Sequence, residues 1–362
     1  MTVDVTRLIR PHLAGDVKPY DPIEPPEVLA QKYGIPAEKI IKLDGNENPY
    51  GCSPKAVEAV AKAPLQFYPD PLQRNMRNAL AEYTGTDADG IIAGAGSDEL
   101  IAFIFQLFIS PGDKILDFDP TFGMYSFNAR VYGADVKMVP RNELFEIDIE
   151  AALNAVDSKT KVIFVTTPNN PTGNLASENQ VRALLDTGRI VVVDEAYYEF
   201  CNQTSANMIP EHENLIVLRT LSKWAGLAGL RIGYGLMSPD LVRRIIGIKP
   251  PYNVNVAAEA ALLASLKDAP ALLKNVNLIV EERERMFTLL KEIPGVTPWP
   301  PSGNYILCQV TPGKAHDIYE GLAQRGIFVR FFNTDRLRDS FRSAVGTPEQ
   351  TDALIEALKE LV

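Results

Sequence analysis

The sequence predicts an α/β fold, with a large domain built on a mostly parallel sheet flanked by helices and a smaller α+β domain. From about residue 90, short apolar runs alternate with helical patterns, which is typical of a parallel sheet covered on both faces. After Pro250 and Pro251 the pattern changes to long helical stretches followed by strand-like segments. The chain has 362 residues and is 46% hydrophobic, so it has enough apolar material for two cores.

Four short apolar runs are the predicted strands of the large sheet. Helical patterns occur in DELIAFIFQLFI and in SENQVRALLDTG, and the second begins at Ser177, a residue type favoured at helix N-caps. These elements place the large domain at residues 46–250. The four runs are ILDF at 115–118, VIFV at 162–165, IVVV at 190–193 and LIVL at 215–218.

The smaller domain is predicted at residues 251–362. AAEAALLASL and LIVEERERMFTLLKEI predict helices, NYILCQV and GIFVRFF predict strands, and TDALIEALKELV predicts a final amphipathic helix. The first 45 residues contain several prolines, and we expect them to form an irregular N-terminal arm associated with the small domain.

Composition excludes several classes of function. The chain has 36 basic and 46 acidic side chains, a net charge of -10 and no block of like charges, so we do not expect nucleic acid as a partner. Cys52, Cys201 and Cys308 lie far apart in sequence, which favours neither disulfides nor a metal site. The three histidines are equally scattered. Without a signal peptide or an apolar stretch long enough to cross a bilayer, we expect a cytoplasmic protein with no membrane partner.

Polar segments follow each of the four apolar runs. They are DPTFGMY, TTPNNPTG, DEAYY and RTLSK. Because the carboxyl ends of parallel strands meet at one edge of a sheet, where ligands bind in open α/β folds, we expect these segments to form one site.

Lys223 and Asp194 are the two charged groups that need an explanation at this edge. A lysine after a strand is usually exposed, and an acid in the position of Asp194 can cap a helix, pair with an arginine or pair with Lys223 itself. Pyridoxal phosphate accounts for more residues: Lys223 would form a Schiff base with its aldehyde, and Asp194 would pair with its ring nitrogen. Thr220, Ser222 and Arg231 would then supply an anion site for its phosphate.

The turn AGAGSDEL offers a second phosphate contact. Gly94, Gly96 and Ser97 open a helix whose free N–H groups can hold a phosphate. Asp98 and Glu99 bring negative charge to the same place, and we expect them to point away from the phosphate and to interact with the helix dipole.

Three further residues would contact the cofactor ring. Asn170 and Tyr197 can donate hydrogen bonds to the ring oxygen, and Phe122 offers a face for stacking. Each of these is weak evidence alone, because prolines and glycines usually mark turns and a phenylalanine is usually part of a core.

The order of these motifs is specific. NNPTG, DEAY and SK with an arginine at the eighth position beyond the lysine together resemble the fold type I (aspartate aminotransferase-like) pyridoxal-phosphate enzymes. Within that group the chain is similar to the histidinol-phosphate aminotransferase family from about residue 5 to the C-terminus. The stretches that carry this similarity are LDGNENPYG at 43–51, YPDP at 68–71, GSDE at 96–99, PTFGMY at 120–125, PPYNVN at 250–255 and FRSAVGT at 341–347.

The resemblance implies roles for individual residues. Lys223 is the Schiff-base lysine and later the proton shuttle, Asp194 is the partner of the pyridinium nitrogen, and Tyr197 is the third catalytic residue. Tyr68 reaches the cofactor phosphate of the neighbouring subunit, because the site of this family lies at a homodimer interface. Phe122 stands where many members carry tyrosine. The cofactor-binding residues implied are Gly96, Ser97, Phe122, Asn170, Asp194, Tyr197, Thr220, Ser222, Lys223, Arg231 and Tyr68.

The implied reaction belongs to histidine biosynthesis and transfers an amino group between glutamate/2-oxoglutarate and imidazole acetol phosphate/histidinol phosphate. One pocket must therefore accept a carboxylate or a phosphate, which suits arginine. The candidates are Arg342, Arg330 and Tyr20, and the resemblance adds Asn48. Alternative interpretations are that Arg330 makes an exposed ion pair and that Tyr20 only packs the arm.

Three other functions stay open. An aromatic amino-acid aminotransferase differs by few pocket residues and would prefer phenylalanine or tyrosine as donor. A pyridoxal-phosphate decarboxylase of a phosphorylated amino acid would release carbon dioxide without an oxo-acid. A non-catalytic cofactor-binding regulator of DNA is disfavoured by the acidic net charge.

Overall fold

The structure is a computed structural model that describes residues 4–15 and 19–362. Within those residues the strands are β1 (Ile41–Lys42), β2 (Ile91–Gly94), β3 (Lys114–Asp119), β4 (Asp135–Pro140), β5 (Thr160–Thr166), β6 (Ile190–Asp194), β7 (Leu215–Thr220), β8 (Gly233–Met237), β9 (Val296–Pro298), β10 (Tyr305–Val310), β11 (Ile327–Phe328), β12 (Arg330–Phe331) and β13 (Ser340–Ala344). The α-helices are α1 (Pro26–Tyr33), α2 (Pro54–Ala61), α3 (Arg74–Thr84), α4 (Ser97–Phe108), α5 (Met124–Tyr132), α6 (Ile149–Ala155), α7 (Glu178–Leu185), α8 (Pro239–Ile248), α9 (Val256–Lys267), α10 (Ala269–Lys291), α11 (Ala315–Gln324) and α12 (Pro348–Leu361).

The large sheet has seven strands in the order β2-β8-β7-β6-β5-β3-β4. The strands from β7 to β4 pair in parallel, and β8 runs antiparallel to both of its neighbours. The four apolar runs lie in β3, β5, β6 and β7, so their prediction as strands is confirmed. The predicted fold class, a mostly parallel sheet flanked by helices, is confirmed as well.

Apolar side chains cover both faces of this sheet. Ile163, Val191 and Val217 belong to one core cluster, whereas Val192 and Ile216 belong to another on the opposite face. Burial of both faces explains why these strands are continuous apolar runs and not alternating ones. The carboxyl ends of β5, β6 and β7 lie side by side at one edge.

Local sequence accounts for the start of α7. The Ser177 side chain accepts a hydrogen bond from the backbone of Gln180, and the Gln180 side chain accepts one from the backbone N–H of Ser177. This capping box satisfies N–H groups that have no partner inside the helix. The predicted cap at Ser177 is therefore confirmed.

The C-terminal part contains an antiparallel sheet in the order β12-β13-β10-β9. NYILCQV forms β10, as predicted, but GIFVRFF forms two short strands in different sheets. β11 pairs with β1, whereas β12 pairs with β13 and places Arg330 opposite Arg342. The change of sheet at Val329 thus brings two of the predicted substrate residues together.

The expectation of an irregular arm is partly wrong, because Pro26–Tyr33 forms α1. Proline is well tolerated in the first turn of this helix, and Gly34 ends it with a φ of 67°. Leu29 of α1 packs with Ala323 and Phe328, so the arm lies against the C-terminal part. Residues 1–3 and 16–18 of the arm lie outside the described residues.

The proposed domain boundaries at 45/46 and 250/251 stay a prediction. In the described part of the chain, no helix combines the length and apolar composition needed to cross a bilayer. All three cysteines are free thiols.

Candidate active site

Side chains from the strand ends line a cavity of about 590 Å³. It lies between the carboxyl edge of the large sheet, the N-terminal arm and the C-terminal sheet. The predicted site residues that line it are Tyr20, Ser97, Phe122, Asn170, Asp194, Tyr197, Thr220, Ser222, Lys223, Arg231, Arg330 and Arg342.

Asp194 ends β6 and is buried, with 3% of its surface exposed. Its Oδ1 accepts a hydrogen bond from Ala196 N at 3.1 Å, and its Oδ2 accepts one from Tyr125 Oη at 2.7 Å. Burial raises the pKa of this carboxyl to about 6, although both hydrogen bonds oppose the increase. None of the cationic side chains in the described ranges lies within ion-pair distance of it, so this carboxyl, which lines the cavity, has hydrogen-bond donors but no cationic partner.

Lys223 brings a primary amine into the same cavity. Its Nζ donates to Gly45 O at 2.8 Å and does not pair with Asp194. Burial lowers the pKa of the amine to about 8, and the charges of Arg342 and Arg231 contribute, whereas Glu47 and Asp98 oppose them. With this pKa a much larger share of the amine is unprotonated near neutral pH than for an ordinary lysine, so it can act as a nucleophile or base.

The N-terminus of α4 and the loop after β7 form one end of the cavity, the candidate anion-binding end. Ser97 opens α4 beside the guanidinium of Arg231, and Thr220 Oγ1 lies 2.9 Å from Ser222 Oγ. A Cβ added to Gly96 would lie 2.6 Å from Arg231 Nη2, so glycine is needed for this approach. The N–H groups of the first helical turn, two hydroxyls and a guanidinium are donors that suit a phosphate.

The expectation that Asp98 points away from this end is wrong. Its Oδ2 lies 2.9 Å from Arg231 Nη2, and both side chains line the cavity. Glu99 does point elsewhere, since its Oε2 accepts hydrogen bonds from Ala95 N and Asn253 Nδ2, each at 2.7 Å. Asp98 does not follow the expectation because Arg231 approaches closely over Gly96. The guanidinium is a stronger partner for the Asp98 carboxylate than the helix dipole is.

Phe122, Tyr197 and Asn170 surround the middle of the cavity. The Phe122 ring packs edge-on against Tyr125, with ring centroids 5.7 Å apart. Tyr197 Oη accepts a hydrogen bond from Asn46 Nδ2 at 2.9 Å. Asn170 Oδ1 accepts one from Arg342 Nη1 at 2.6 Å, which leaves its amide N–H groups available to a ligand.

The two arginines of the C-terminal sheet form the other end. Arg342 donates through Nη2 to Asp44 O, and its Nε has no hydrogen-bond partner among the described residues although it is buried. Arg330 Nη2 lies 2.9 Å from both the backbone oxygen and a carboxylate oxygen of Asp21 in the arm. Tyr20, beside it, packs edge-on against Phe122 at 6.5 Å. Arg330 therefore makes an ion pair at the mouth of the cavity.

Three predicted residues do not line the cavity. Asn48 links the loop at 43–51 to the turn after Lys223, since its Nδ2 donates to Trp224 O at 2.8 Å and its Oδ1 accepts from Tyr50 N. Gly96 leaves space for Arg231 Nη2, and Tyr68 lies on the surface with 80% exposure. Their predicted contacts with ligands stay predictions.

Sequence reasoning missed residues that act through others. Tyr125 follows Phe122 by three positions and lies in α5, but no local signal indicates that its hydroxyl reaches Asp194. Asn46 and Glu47, within LDGNENPYG, line the cavity as well. They lie far from the other motifs in sequence, so only the family-like stretch could have indicated them.

Two features test whether pyridoxal phosphate fits. A pyridinium N–H would supply the cation that the buried Asp194 carboxylate lacks. A phosphate would suit the donors around Arg231, and a Cβ at Gly233 would lie 2.5 Å from Ser97 N, so this glycine also keeps that end open. The residues present therefore fit the cofactor at both ends of its ring.

Proteins of known family resemble this chain in both sequence and fold. Residues 38–358 match the model of the aminotransferase class I and II family. The chain is 47% identical to the histidinol-phosphate aminotransferase of Roseiflexus castenholzii, with all of both chains covered. It is 48% identical to the chloroplastic histidinol-phosphate aminotransferase of Nicotiana plumbaginifolia, over 97% of this chain and 86% of that protein. The crystal structure of histidinol-phosphate aminotransferase from Sinorhizobium meliloti in complex with pyridoxal-5'-phosphate superposes with a TM-score of 0.84, at 25% identity, over 94% of this chain and 95% of that one.

Proposed function

The chain belongs to the class I and II aminotransferases, and on this premise we propose that it transfers an amino group from glutamate to imidazole acetol phosphate. The products are 2-oxoglutarate and histidinol phosphate, the cofactor is pyridoxal 5'-phosphate, and the step belongs to histidine biosynthesis. The observation that carries the proposal is one cavity that holds a partly buried amine and a buried carboxylate between two clusters of anion-binding groups. Relatives that are 47% and 48% identical are named histidinol-phosphate aminotransferases, which supports the choice of substrate.

When bound, the cofactor supplies an aldehyde carbon that receives the amino group and a ring that accepts electrons from the substrate's α-carbon. Asp194 holds a proton on the ring nitrogen, and Phe122 covers one face of the ring. Asn170 and Tyr197 donate to the ring oxygen. The phosphate is held by the residues at the anion-binding end, namely Gly96, Ser97, Thr220, Ser222 and Arg231.

Lys223 has two tasks. It anchors the cofactor through Nζ in the resting enzyme, and its free amine later moves a proton from the substrate's α-carbon. The lowered pKa of the amine allows it to accept a proton near pH 8. The hydrogen bond from Nζ to Gly45 O supports a position of the free amine on the cavity side of the loop at 43–51.

Arg342 and Arg330 bind the substrate's anion. Glutamate presents an α-carboxylate, whereas histidinol phosphate carries a phosphate on a CH2 group at the corresponding place, and a guanidinium can bind either through two parallel hydrogen bonds. Tyr20 adds a hydroxyl donor for the larger phosphate. Asn48 stabilises the loop at 43–51 and is the least direct of the proposed substrate residues.

The enzyme functions as a homodimer in this proposal. Tyr68 stacks on Tyr252 with centroids 4.5 Å apart, and it lies at the surface near the exposed side chains of Leu65 and Phe67. A second subunit would cover this apolar surface and receive the Tyr68 hydroxyl at its cofactor phosphate.

Two further proposals concern the whole chain. The free thiols of Cys52, Cys201 and Cys308 support a reducing compartment, and we place the enzyme in the cytoplasm. We divide the chain into an arm at 1–45, a large cofactor-binding domain at 46–250 and a small α+β domain at 251–362.

A single-turnover experiment tests the reaction. Purified protein loaded with cofactor is mixed with histidinol phosphate, and separately with phenylalanine, without an oxo-acid, while the visible absorption band of the cofactor is followed. We expect rapid loss of the band with histidinol phosphate and a much slower loss with phenylalanine. Faster reaction with phenylalanine would assign the chain to aromatic amino acids, and release of carbon dioxide would make it a decarboxylase.

The Lys223→Ala variant tests the assignment of the amine. We expect no measurable steady-state amino transfer, with an unchanged melting temperature for the cofactor-free protein. Substantial turnover by this variant, or the absence of any visible band when the wild-type protein is given cofactor, would refute the role of Lys223.

A further inference from the structure

Tyr125 is a buried residue of α5 whose hydroxyl has no role in the mechanism described above. Its ring stacks on Phe164 with centroids 4.4 Å apart, and the residue has no exposed surface. Its Oη lies 2.7 Å from Asp194 Oδ2 and 2.8 Å from Thr166 Oγ1. The hydroxyl therefore bridges the ends of β5 and β6 directly beneath the cavity.

The surrounding hydrogen bonds determine which group donates. Asn169 uses its amide N–H groups on two other acceptors, so its Oδ1 can only accept, and it lies 2.9 Å from Thr121 Oγ1. With the Thr121 hydrogen committed there, the Thr166 hydroxyl is free to donate to Tyr125. The single hydrogen of Tyr125 then goes to Asp194.

Both oxygens of Asp194 consequently meet a donor. Oδ1 faces Ala196 N–H, which can only donate, so a proton on the carboxyl would have to sit on Oδ2. If that proton pointed at Tyr125, the Tyr125 hydrogen would turn toward Thr166, and the Thr166 hydrogen toward Thr121, 3.2 Å away. The ionised carboxylate thus receives two charge-assisted hydrogen bonds, one from Ala196 N–H and one from Tyr125 Oη.

The hydrogen bonds to Asp194 oppose the increase in its pKa that burial and nearby negative charges cause. Burial, and the charges of Asp98 in α4 and of the adjacent Glu195, raise the pKa of Asp194, whereas the hydrogen bonds from Tyr125 and Ala196 lower it. The cations that line the same cavity are Lys223, Arg231, Arg330 and Arg342.

We propose that Tyr125 is a positioning residue whose hydroxyl keeps Asp194 ionised and oriented toward the ring nitrogen of the cofactor, an inference that rests on the proposed function. Without the hydroxyl, the shared proton moves from the ring nitrogen to the carboxylate: the N–H bond breaks and an O–H bond forms on Asp194. The ring then becomes a weaker acceptor of the electron pair from the substrate's α-carbon.

The first test uses cofactor-free protein, so that it does not depend on catalysis. Aspartate labelled with 13C at the carboxyl carbon is incorporated, and the Asp194 resonance is identified by its absence in Asp194→Asn. In Tyr125→Phe we expect the titration midpoint of Asp194 to move upward by about one to two pH units, because a hydrogen bond to a charged group is lost. An unmoved midpoint would overturn the proposal.

The second test uses protein loaded with cofactor that is 15N-labelled in the ring. We expect the ring nitrogen resonance of Tyr125→Phe to move toward that of an unprotonated pyridine, and kcat to fall roughly tenfold to a hundredfold with little change in KM. Tyr132→Phe is the matched control, because Tyr132 lies on the same helix and its hydroxyl bonds to Gln106 at the surface. It should change neither measurement.

Thr166→Val provides a second variant in case Tyr125→Phe loses stability. It removes the donor to Tyr125 but leaves the Tyr125 hydroxyl in place, so we expect a smaller shift of both resonances in the same direction. If wild-type protein takes up no cofactor, the proposed function fails, and the role of Tyr125 toward the ring fails with it. If cofactor binds and both resonances stay in place in both variants, only the role of Tyr125 is refuted.

Discussion

Lys223 lies between charges of both signs, and its proton affinity depends on their balance. Burial and the guanidinium of Arg342 lower the pKa of the amine to about 8, while the carboxylate of Glu47 raises it. Glu47 also forms an ion pair with Lys42 at 3.0 Å, so its charge is held in place beside the cavity. The amine can accept a proton only in its unprotonated form, so proton transfer should become faster as pH rises through about 8.

This balance predicts the pH dependence of a variant. Glu47→Gln removes a charge that raises the pKa of Lys223, so the rising limb of the single-turnover rate with histidinol phosphate should move to lower pH. Glu82→Gln removes an exposed carboxylate from the surface of α3 and serves as the control. The measurement is the rate of loss of the visible band between about pH 6 and about pH 10, a range that extends roughly two pH units on either side of the expected midpoint. A limb that moves upward, or stays in place, would contradict the assigned effect of Glu47.

The turn that carries Lys223 depends on close contact between backbones. Gly226 has a φ of 67°, and a Cβ at this position would lie 2.3 Å from Gly51 O, in the loop that also contains Asn48. Gly229 lies in the same turn, but a Cβ there would have open space. The turn and the loop at 43–51 therefore hold each other, and with them Nζ of Lys223.

Alanine substitutions at Gly226 and Gly229 distinguish the effect of the backbone contact from the effect of an added methyl group alone. Gly226→Ala should destabilise the protein by about 2 kcal/mol or more, because it combines a backbone clash with an unfavourable φ, and it should weaken retention of the cofactor. Gly229→Ala should leave stability within about 0.5 kcal/mol of wild type. Urea unfolding of the cofactor-free proteins measures the first effect, and the visible band after gel filtration measures the second. Equal stability of the two variants would show that the close approach of Gly226 to Gly51 does not matter.

The N-terminal arm supplies an anion to a proposed substrate residue. Asp21 pairs with Arg330 at 2.9 Å, with side-chain exposures of 83% and 19%. A substrate phosphate that binds Arg330 would therefore compete with this carboxylate for the Nη2 donor. Because Asp21 is exposed, it can move into water at little cost.

Asp21→Asn should lower the KM for histidinol phosphate by about two- to fivefold, as expected when an exposed ion pair worth less than about 1 kcal/mol no longer competes. We expect little change in kcat. Glu24→Gln is the matched control, since Glu24 lies in the same arm and pairs with Lys32 at 3.3 Å, away from the cavity. The measurement is the steady-state KM and kcat of wild type, Asp21→Asn and Glu24→Gln. A higher KM for Asp21→Asn would mean that the ion pair between Asp21 and Arg330 assists substrate binding.

In the proposed homodimer, each active site would take residues from both subunits. A single chain contains Lys223, Asp194 and both anion-binding ends, but Tyr68 lies on the surface and outside the cavity of its own subunit. If its hydroxyl completes the phosphate site of a neighbour, each subunit needs the other for full activity.

Mixed dimers test this dependence. Lys223→Ala and Tyr68→Ala subunits are co-expressed with different affinity tags and purified through both. Such a dimer has one site with Lys223 and an intact Tyr68 from its partner, so we expect about half of the wild-type activity per dimer. Each variant alone should be far less active. If the mixed dimers are no more active than the Tyr68→Ala homodimer, or if the protein is a monomer in solution, Tyr68 does not act across the interface.

The fold class, the four large-sheet strands and the cap at Ser177 could be predicted from the sequence, because they depend on neighbours along the chain. A strand buried on both faces is a mostly apolar run, and a capping box needs residues only three positions apart. The order of NNPTG, DEAY and SK also sufficed to indicate the family, and the match over 38–358 confirms it. The roles of the individual site residues stay predictions.

Other features depend on residues distant in sequence, and only the tertiary structure determined them. Asp98 turns toward Arg231, 133 positions away, because Gly96 lets the guanidinium approach. GIFVRFF divides between two sheets because each half finds a different partner strand. Tyr125 donates to Asp194 because α5 packs on the face of the sheet beneath the end of β6. The order of residues specifies which chemical groups are present and which strands carry them, whereas packing decides which of these groups meet, since a contact between distant residues leaves no pattern in the sequence around either one.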